Sequence, residues 1–260
     1  MKFNVMGEKG NPVVVMLTGS FCQGECLEYI YSRMKDYYII VPTYNGHYKD
    51  SKDFTTRADE AREIRAYLYK LGIEQIHMIY GQSMGTEVGM ELHRQLSNAG
   101  IKVHNLFFDG APMIQLSTPY KAFMRFKFGT MIKLFRDKTL DEAMNMKFLK
   151  QFAGDKIKSL KPMMESLVMV APYLTKNSLR NEVECCYTFD FPNLNEDMQK
   201  HTYFFYGEDE KAYKTCYKLL KKTYPQANFY VEEGHGHMTY SCEHTDKYVE
   251  WLKNIIEEIL

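Results

Sequence analysis

The chain has 260 residues, with 33 Lys plus Arg against 33 Asp plus Glu and a formal net charge of zero. That balance excludes a global positive field able to hold nucleic acid or an anionic membrane, and neither is expected as a partner. A chain of this length buries roughly three quarters of the surface it exposes when unfolded. It therefore suits one large domain, or a core with an insertion, and needs neither disulfide nor metal to fold.

The N-terminal stretch MKFNVMGEKGNPVVVMLTG does not read as a secretory signal, because its apolar run Val13–Leu17 is too short and no A-x-A site follows. No apolar stretch approaches the ~18 residues of a membrane span, so a soluble, cytoplasmic protein is expected. Residues 3–6 are expected to form a short strand pairing with Val13–Leu17 through a turn over 7–12. Cys22 and Cys26 stand in C-x3-C spacing without a matching second pair. Free thiols in a reducing compartment are the expectation there, not zinc. Leu27, Ile30, Tyr31 and Met34 share one helical face, and a strand follows over 37–41. A second helix carries Ala61, Ile64, Leu68 and Leu71 before a strand over 76–80; a third carries Met84, Val88, Leu92 and Leu96 before a strand over 103–108. The last strands fall over 203–206 and 229–231, and a final helix buries Val249, Leu252, Ile256 and Ile259. Short continuous apolar runs alternating with amphipathic helices predict an α/β fold, a mainly parallel sheet with helices on both faces.

The alternation stops over 113–199. Eight of the seventeen methionines lie between Met113 and Met169, and Pro162, Pro172 and Pro192 punctuate the stretch. It reads as a helical insertion over the carboxyl edge of the sheet. Its methionines suit a flexible helical core, an adaptable apolar wall for a substrate, or both.

The sharpest chemical signal is IHMIYGQSMGTEVG, residues 76–89, in which Gly81, Gln82, Ser83, Met84 and Gly85 form G-x-S-x-G. An apolar strand runs into the motif and an amphipathic helix leaves it. A serine in such a turn must adopt a strained backbone to lift its hydroxyl clear, and side chains two residues either way would collide. Gly89, four residues on, lets the helix approach the sheet. A hydroxyl is a poor nucleophile without a base, and EEGHGHM after the last strand supplies His235 and His237; His244 reads as a surface residue. A third group must orient the base. Glu208, Asp209 and Glu210 follow the strand over 203–206, and Asp109 in FFDGAP is a further candidate. Acids left over suit a solvated helix start. The order Ser, acid, His differs from those of the chymotrypsin and subtilisin types.

These features together resemble the α/β-hydrolase family. The resemblance rests on LTGSF after the first long strand, VPTYNGH after the next, then GQSMG, YGEDE and GHGH. It covers residues 1–112 and 200–260 as a hydrolase core, with 113–199 similar to the helical cap that many members insert after their sixth strand. Thr18 stands where many relatives have His, and Thr43 where Asp is common. The resemblance implies that Ser83 is the nucleophile. By depth after the strand it favours His237 over His235 as base, and by distance from Gly207 it favours Glu210 over Asp209 as acid. It also implies an oxyanion hole from the N–H groups of Met84 and Ser20, with Phe21 as the alternative to Ser20. No cofactor or metal is implied. The expected activity is hydrolysis of a small or medium carboxylic ester through an acyl-enzyme. The same triad also serves peptidases, thioesterases, lactonases and C–C bond hydrolases, and a non-catalytic binding protein is a third reading.

Overall fold

The protein is described by a computed structural model covering residues 1–146 and 159–258. Strands β1 (Lys2–Met6), β2 (Val13–Leu17), β3 (Tyr38–Thr43), β4 (Gln75–Gln82), β5 (Lys102–Asp109), β6 (Thr202–Gly207) and β7 (Asn228–Glu232) form one sheet in the order β1-β3-β2-β4-β5-β6-β7. All neighbouring strands run parallel except β1, which pairs antiparallel with β3. The expected pairing of residues 3–6 with β2 is not what forms. Both edges of β2 are taken, by β3 and β4, so β1 crosses to the free edge of β3, where Lys2 faces Thr43 and Met6 faces Ile39.

The two-residue period of each strand sorts its side chains into two cores. Val13, Val15 and Leu17 pack with Ile40, Leu106, Phe108, Phe204 and Tyr206 on one face. Helices α2 (Arg57–Leu71) and α3 (Gly85–Asn98) cover that face through Ala61, Ile64, Leu68, Val88, Leu92 and Leu96. Val14 and Met16 pack with Ile39, Val41, Met78, Phe107 and Phe205 on the other. There the cover is a 3-10 turn (Gly24–Leu27), the single-turn α1 (Glu28–Tyr31) and the last helix, with Leu27, Ile30, Val249, Leu252 and Ile256. Double-sided burial is why β2 and β3 read as unbroken apolar runs. Ile259, placed on the last helical face by its spacing, lies outside the described residues.

Between β5 and β6 the described chain is helical: α4 (Thr118–Phe135), α5 (Leu140–Met144), α6 (Lys161–Val170), α7 (Lys176–Tyr187) and the short α8 (Glu196–Lys200). The segment follows the fifth strand of this sheet and not the sixth, the place expected of a cap, because only five strands precede it along the chain. The segment has a small core of its own, Ile132, Phe135, Ala143, Met164, Leu167 and Val170, with Met131, Met144, Met146 and Met163 packed at its margin. Helices α9 (Lys211–Thr223), α10 (Thr239–Glu243) and α11 (Thr245–Glu257) complete the chain. No helix among the described residues is long and apolar enough to cross a membrane.

Candidate active site

Ser83 occupies the turn between β4 and α3 with φ of 52°, a left-handed backbone that non-glycine residues rarely adopt. Two glycines make the turn possible. A Cβ at Gly81 would sit 2.6 Å from the Gly85 carbonyl oxygen, and one at Gly85 would run into the Leu17 carbonyl. The Ser83 N–H donates to the Asp109 carbonyl at 2.8 Å, tying the turn to the end of β5. Met84 is buried and heads α3, where first-turn N–H groups have no intrahelical acceptor.

Beyond the ends of β6 and β7, Glu210 and His237 meet. Glu210 is 3% exposed, and both its oxygens are spent: Oε1 accepts from the Gly207 N–H at 2.7 Å, and Oε2 lies 2.5 Å from His237 Nδ1. Burial works against a charged His237 ring, but the Glu210 carboxylate and its hydrogen bond outweigh it and raise the ring's pKa. Gly110, at φ of 65°, makes room for this pair. A Cβ there would fall 2.5 Å from His237 Nδ1 and 3.0 Å from Glu210 Oε2. Tyr206 Oη donates to the Ala111 carbonyl at 3.1 Å and holds the segment in place. Ser83 and His237 therefore both border Asp109–Gly110.

The other sequence candidates go elsewhere. Glu208 and Asp209 are exposed, and the Asp209 N–H donates to the His235 carbonyl at 2.9 Å. His235 faces Glu243, with Nε2 3.3 Å from Oε2, and His244 is exposed beside them. Asp109 is 1% exposed and does not take the position of Glu210 against His237. Its Oδ2 accepts from Tyr248 Oη at 2.8 Å, and Tyr248 meets Tyr80 at 3.2 Å. Burial, then the nearby Glu210 charge, push the Asp109 carboxyl up to about 7.

Gly19 lies against Ser83: a Cβ on it would be 3.1 Å from Ser83 Cβ and 3.6 Å from Oγ. Ser20 and Phe21 follow. The Phe21 N–H is committed to Glu182 Oε2 at 3.2 Å. The same loop spends the Gln23 N–H on Ser166 Oγ at 2.7 Å and the Gly24 N–H on Thr43 Oγ1 at 2.9 Å.

Sequence reasoning missed Glu182 and its partner His47. Both are fully buried; His47 Nε2 lies 2.9 Å from Glu182 Oε1, and Nδ1 lies 2.9 Å from the Cys22 carbonyl. Burial opposes the His47 cation, yet the Glu182 carboxylate raises its pKa. One carboxylate on α7 thus holds the loop after β2 and the loop after β3 together. His47 closes the VPTYNGH segment, but nothing in the spacing ties it to Glu182. Cys22 and Cys26 are both buried free thiols; a hydrogen bond from Cys26 lowers the Cys22 pKa against its burial, aided by His47. Phe21 and Met238 share the left-handed backbone of Ser83, each at φ of 62°. Three of the four non-glycine residues with this backbone thus lie in the loops that meet here; the fourth, Asp50, is on an exposed turn.

No protein-family model and no curated protein matches the sequence. Solved structures do match the fold. An α/β-hydrolase family protein from Desulfitobacterium hafniense superposes with a TM-score of 0.74 at 19% identity, covering 98% of this chain and 100% of that one. This chain has the α/β-hydrolase fold. A thermophilic esterase from Thermogutta terrifontis gives 0.70 at 17% identity over 98% and 93% of the two chains. The type II thioesterase BorB of the borrelidin biosynthetic cluster gives 0.69 at 15% over 98% and 97%. In an α/β-hydrolase fold, Ser83, Glu210 and His237 stand just beyond the carboxyl ends of β4, β6 and β7, the edge where open parallel sheets place their sites.

Proposed function

We propose that the protein is a serine hydrolase of small or medium carboxylic esters, working through an acyl-enzyme. The observation that carries this reading is the buried Glu210 carboxylate, held by the Gly207 N–H and spent on His237 Nδ1. A carboxylate in that place fixes the imidazole tautomer so that Nε2 is free to accept a proton, and it stabilises the cation that results. Ser83 supports the reading by its strained turn.

In this mechanism His237 Nε2 takes the Ser83 hydroxyl proton as Oγ attacks the ester carbonyl. The N–H groups of Met84 and Ser20 hold the oxyanion. The tetrahedral intermediate collapses with cleavage of the bond to the alkoxy oxygen, and the leaving alcohol receives the proton from His237. Water, deprotonated by His237, then attacks the acyl-enzyme; the acid departs and Ser83 regains its proton. Glu210 stays ionised throughout, and no cofactor takes part. The helical segment over 113–199 serves as cap, with its apolar, Met-rich wall suited to acyl or aromatic groups. A thioester is the second substrate reading, favoured by the likeness to BorB; the chemistry is unchanged but for the thiol that leaves.

A fluorophosphonate probe on the purified protein, with adducts located by peptide mass mapping, tests the proposal. Labelling at Ser83, lost in Ser83→Ala, is the expected result. A folded protein that takes no label overturns the mechanism. An ester and thioester panel then separates the two substrate classes.

A further inference from the structure

Beside the loop that carries His237 a second group of side chains converges. His235, Glu243 and His244 each present one ligand atom, and these atoms lie within 4.8 Å of one another. His235 sits on the loop after β7, Glu243 closes α10, and His244 is the residue between α10 and α11.

The hydrogen bonds around the cluster decide what its atoms can do. His235 Nδ1 lies 2.7 Å from the Glu233 carbonyl, which can only accept, so Nδ1 carries the hydrogen. In the neutral ring, Nε2 then holds a lone pair, and it lies 3.3 Å from Glu243 Oε2. Ser159 Oγ donates to the other carboxylate oxygen of Glu243 at 2.7 Å, fixing the carboxylate in its orientation. The His235 and His244 rings stand 5.3 Å apart at 67°. A backbone carbonyl holding the far nitrogen of one histidine, and a hydroxyl holding the far oxygen of the carboxylate, are the outer contacts that orient metal ligands. A plain His235–Glu243 ion pair would use one imidazolium and leave out the His244 ring, which packs on Tyr240 at 4.9 Å. A dication uses all three groups with both imidazoles neutral.

We infer that His235, Glu243 and His244 bind one divalent transition-metal ion of the zinc class, with water completing the coordination. Two imidazole nitrogens and one carboxylate oxygen suit zinc, cobalt or nickel, not the all-oxygen shells of magnesium and calcium. Bonds of ~2.0–2.1 Å set tetrahedral ligand atoms roughly 3.4 Å apart, a spacing His235 and Glu243 already have. The ion clips the loop over 233–237 to the junction between the last two helices. It takes neither His237 nor Glu210, which are committed to each other. The loop is also tied by the Asp209 N–H on the His235 carbonyl and by the Gly236 N–H on Thr239 Oγ1, both at 2.9 Å. The metal adds a further tie between this loop and the C-terminal helices.

The test is calorimetric titration of the full-length protein with zinc chloride in a non-chelating buffer, with magnesium chloride as comparison. One equivalent of zinc should bind, and the melting temperature should rise with zinc but not with magnesium. Glu243→Gln and His244→Ala should each weaken binding by roughly tenfold or more. His104→Ala, on β5, should leave it unchanged. Cobalt should give visible d–d absorption that His244→Ala removes. The inference is overturned if zinc at about 1 mM gives no heat and no melting shift. Binding that survives both variants overturns it equally, as does binding lost only when Cys22 or Cys26 is replaced. None of these measurements needs turnover, so the metal site and the serine chemistry fail or stand separately.

Discussion

The carboxyl-edge loops of the sheet and the helical segment between β5 and β6 are held by different means. Ser83, Gly110 and Glu210 hang from strands that are wholly buried at those ends, and backbone ladders fix where they emerge. The described part of the helical segment has its own small core, joins the core under the sheet through Cys186, Phe189 and Leu194, and adds a set of buried polar anchors. Glu182 reaches His47 and Phe21, Ser166 reaches Gln23, and Ser178 accepts from the Phe54 N–H at 3.1 Å. Its α4 leaves Tyr120, Phe123 and Phe126 more than half exposed. Position in the first region is set by many small cooperative contacts, and in the second by a handful of costly ones. The first should tolerate single substitutions structurally yet lose chemistry; the second should lose structure.

The largest effect expected is chemical. Ser83→Ala should lower ester turnover by about 10⁴–10⁶ while leaving the melting curve nearly unchanged. Steady-state rates and circular dichroism check both halves. Glu210→Gln keeps the shape of the side chain but not its charge, and should cost about 10²–10⁴ in kcat. Activity near wild type in that variant would overturn the proposed role of Glu210.

The helical segment is tested by Glu182→Ala. Removing one member of a fully buried pair strands His47 and the Phe21 N–H, so unfolding free energy should fall by about 3–5 kcal/mol. Urea denaturation measures the loss, and limited proteolysis should find new cuts in the helical segment before the sheet. Cuts appearing first in the sheet would erase the distinction between the two regions.

A smaller, pH-dependent effect concerns Asp109. Its carboxyl titrates at about 7 in the folded chain but near ~3.9 when unfolded. The native state then holds a proton that unfolding releases. Stability from this group is full below ~pH 4 and is lost as pH rises through about 7. Asp109→Asn cannot ionise. Its melting temperature should match wild type near ~pH 3.5 and exceed it by pH ~8, through at most a few kcal/mol. Parallel curves across that range would contradict a neutral Asp109. The smallest effect is Asp209→Asn, an exposed site, where stability should change by less than about 0.5 kcal/mol and kcat should hold.

Much of this arrangement is written locally. Continuous apolar runs, helical spacing and the glycines flanking Ser83 are decided by residues within a few positions of one another. Strand periodicity and the steric demands of a tight turn act over that distance, so the sequence by itself determined the alternating α/β layout, the break after β5 and the turn that holds Ser83. Other choices need partners far along the chain. Residues 3–6 read as a strand, but only the filling of both β2 edges sent them to β3. The step from Asp209 to Glu210, or from His235 to His237, changes no local pattern. What separated them is which carboxylate the Gly207 N–H captures and which ring fits against Gly110. Glu182 lies 135 residues from His47, and no spacing rule relates them. Burial selects such partners, because a charge taken out of water must find its counterpart in space, and spatial neighbours are settled only when the whole chain has packed.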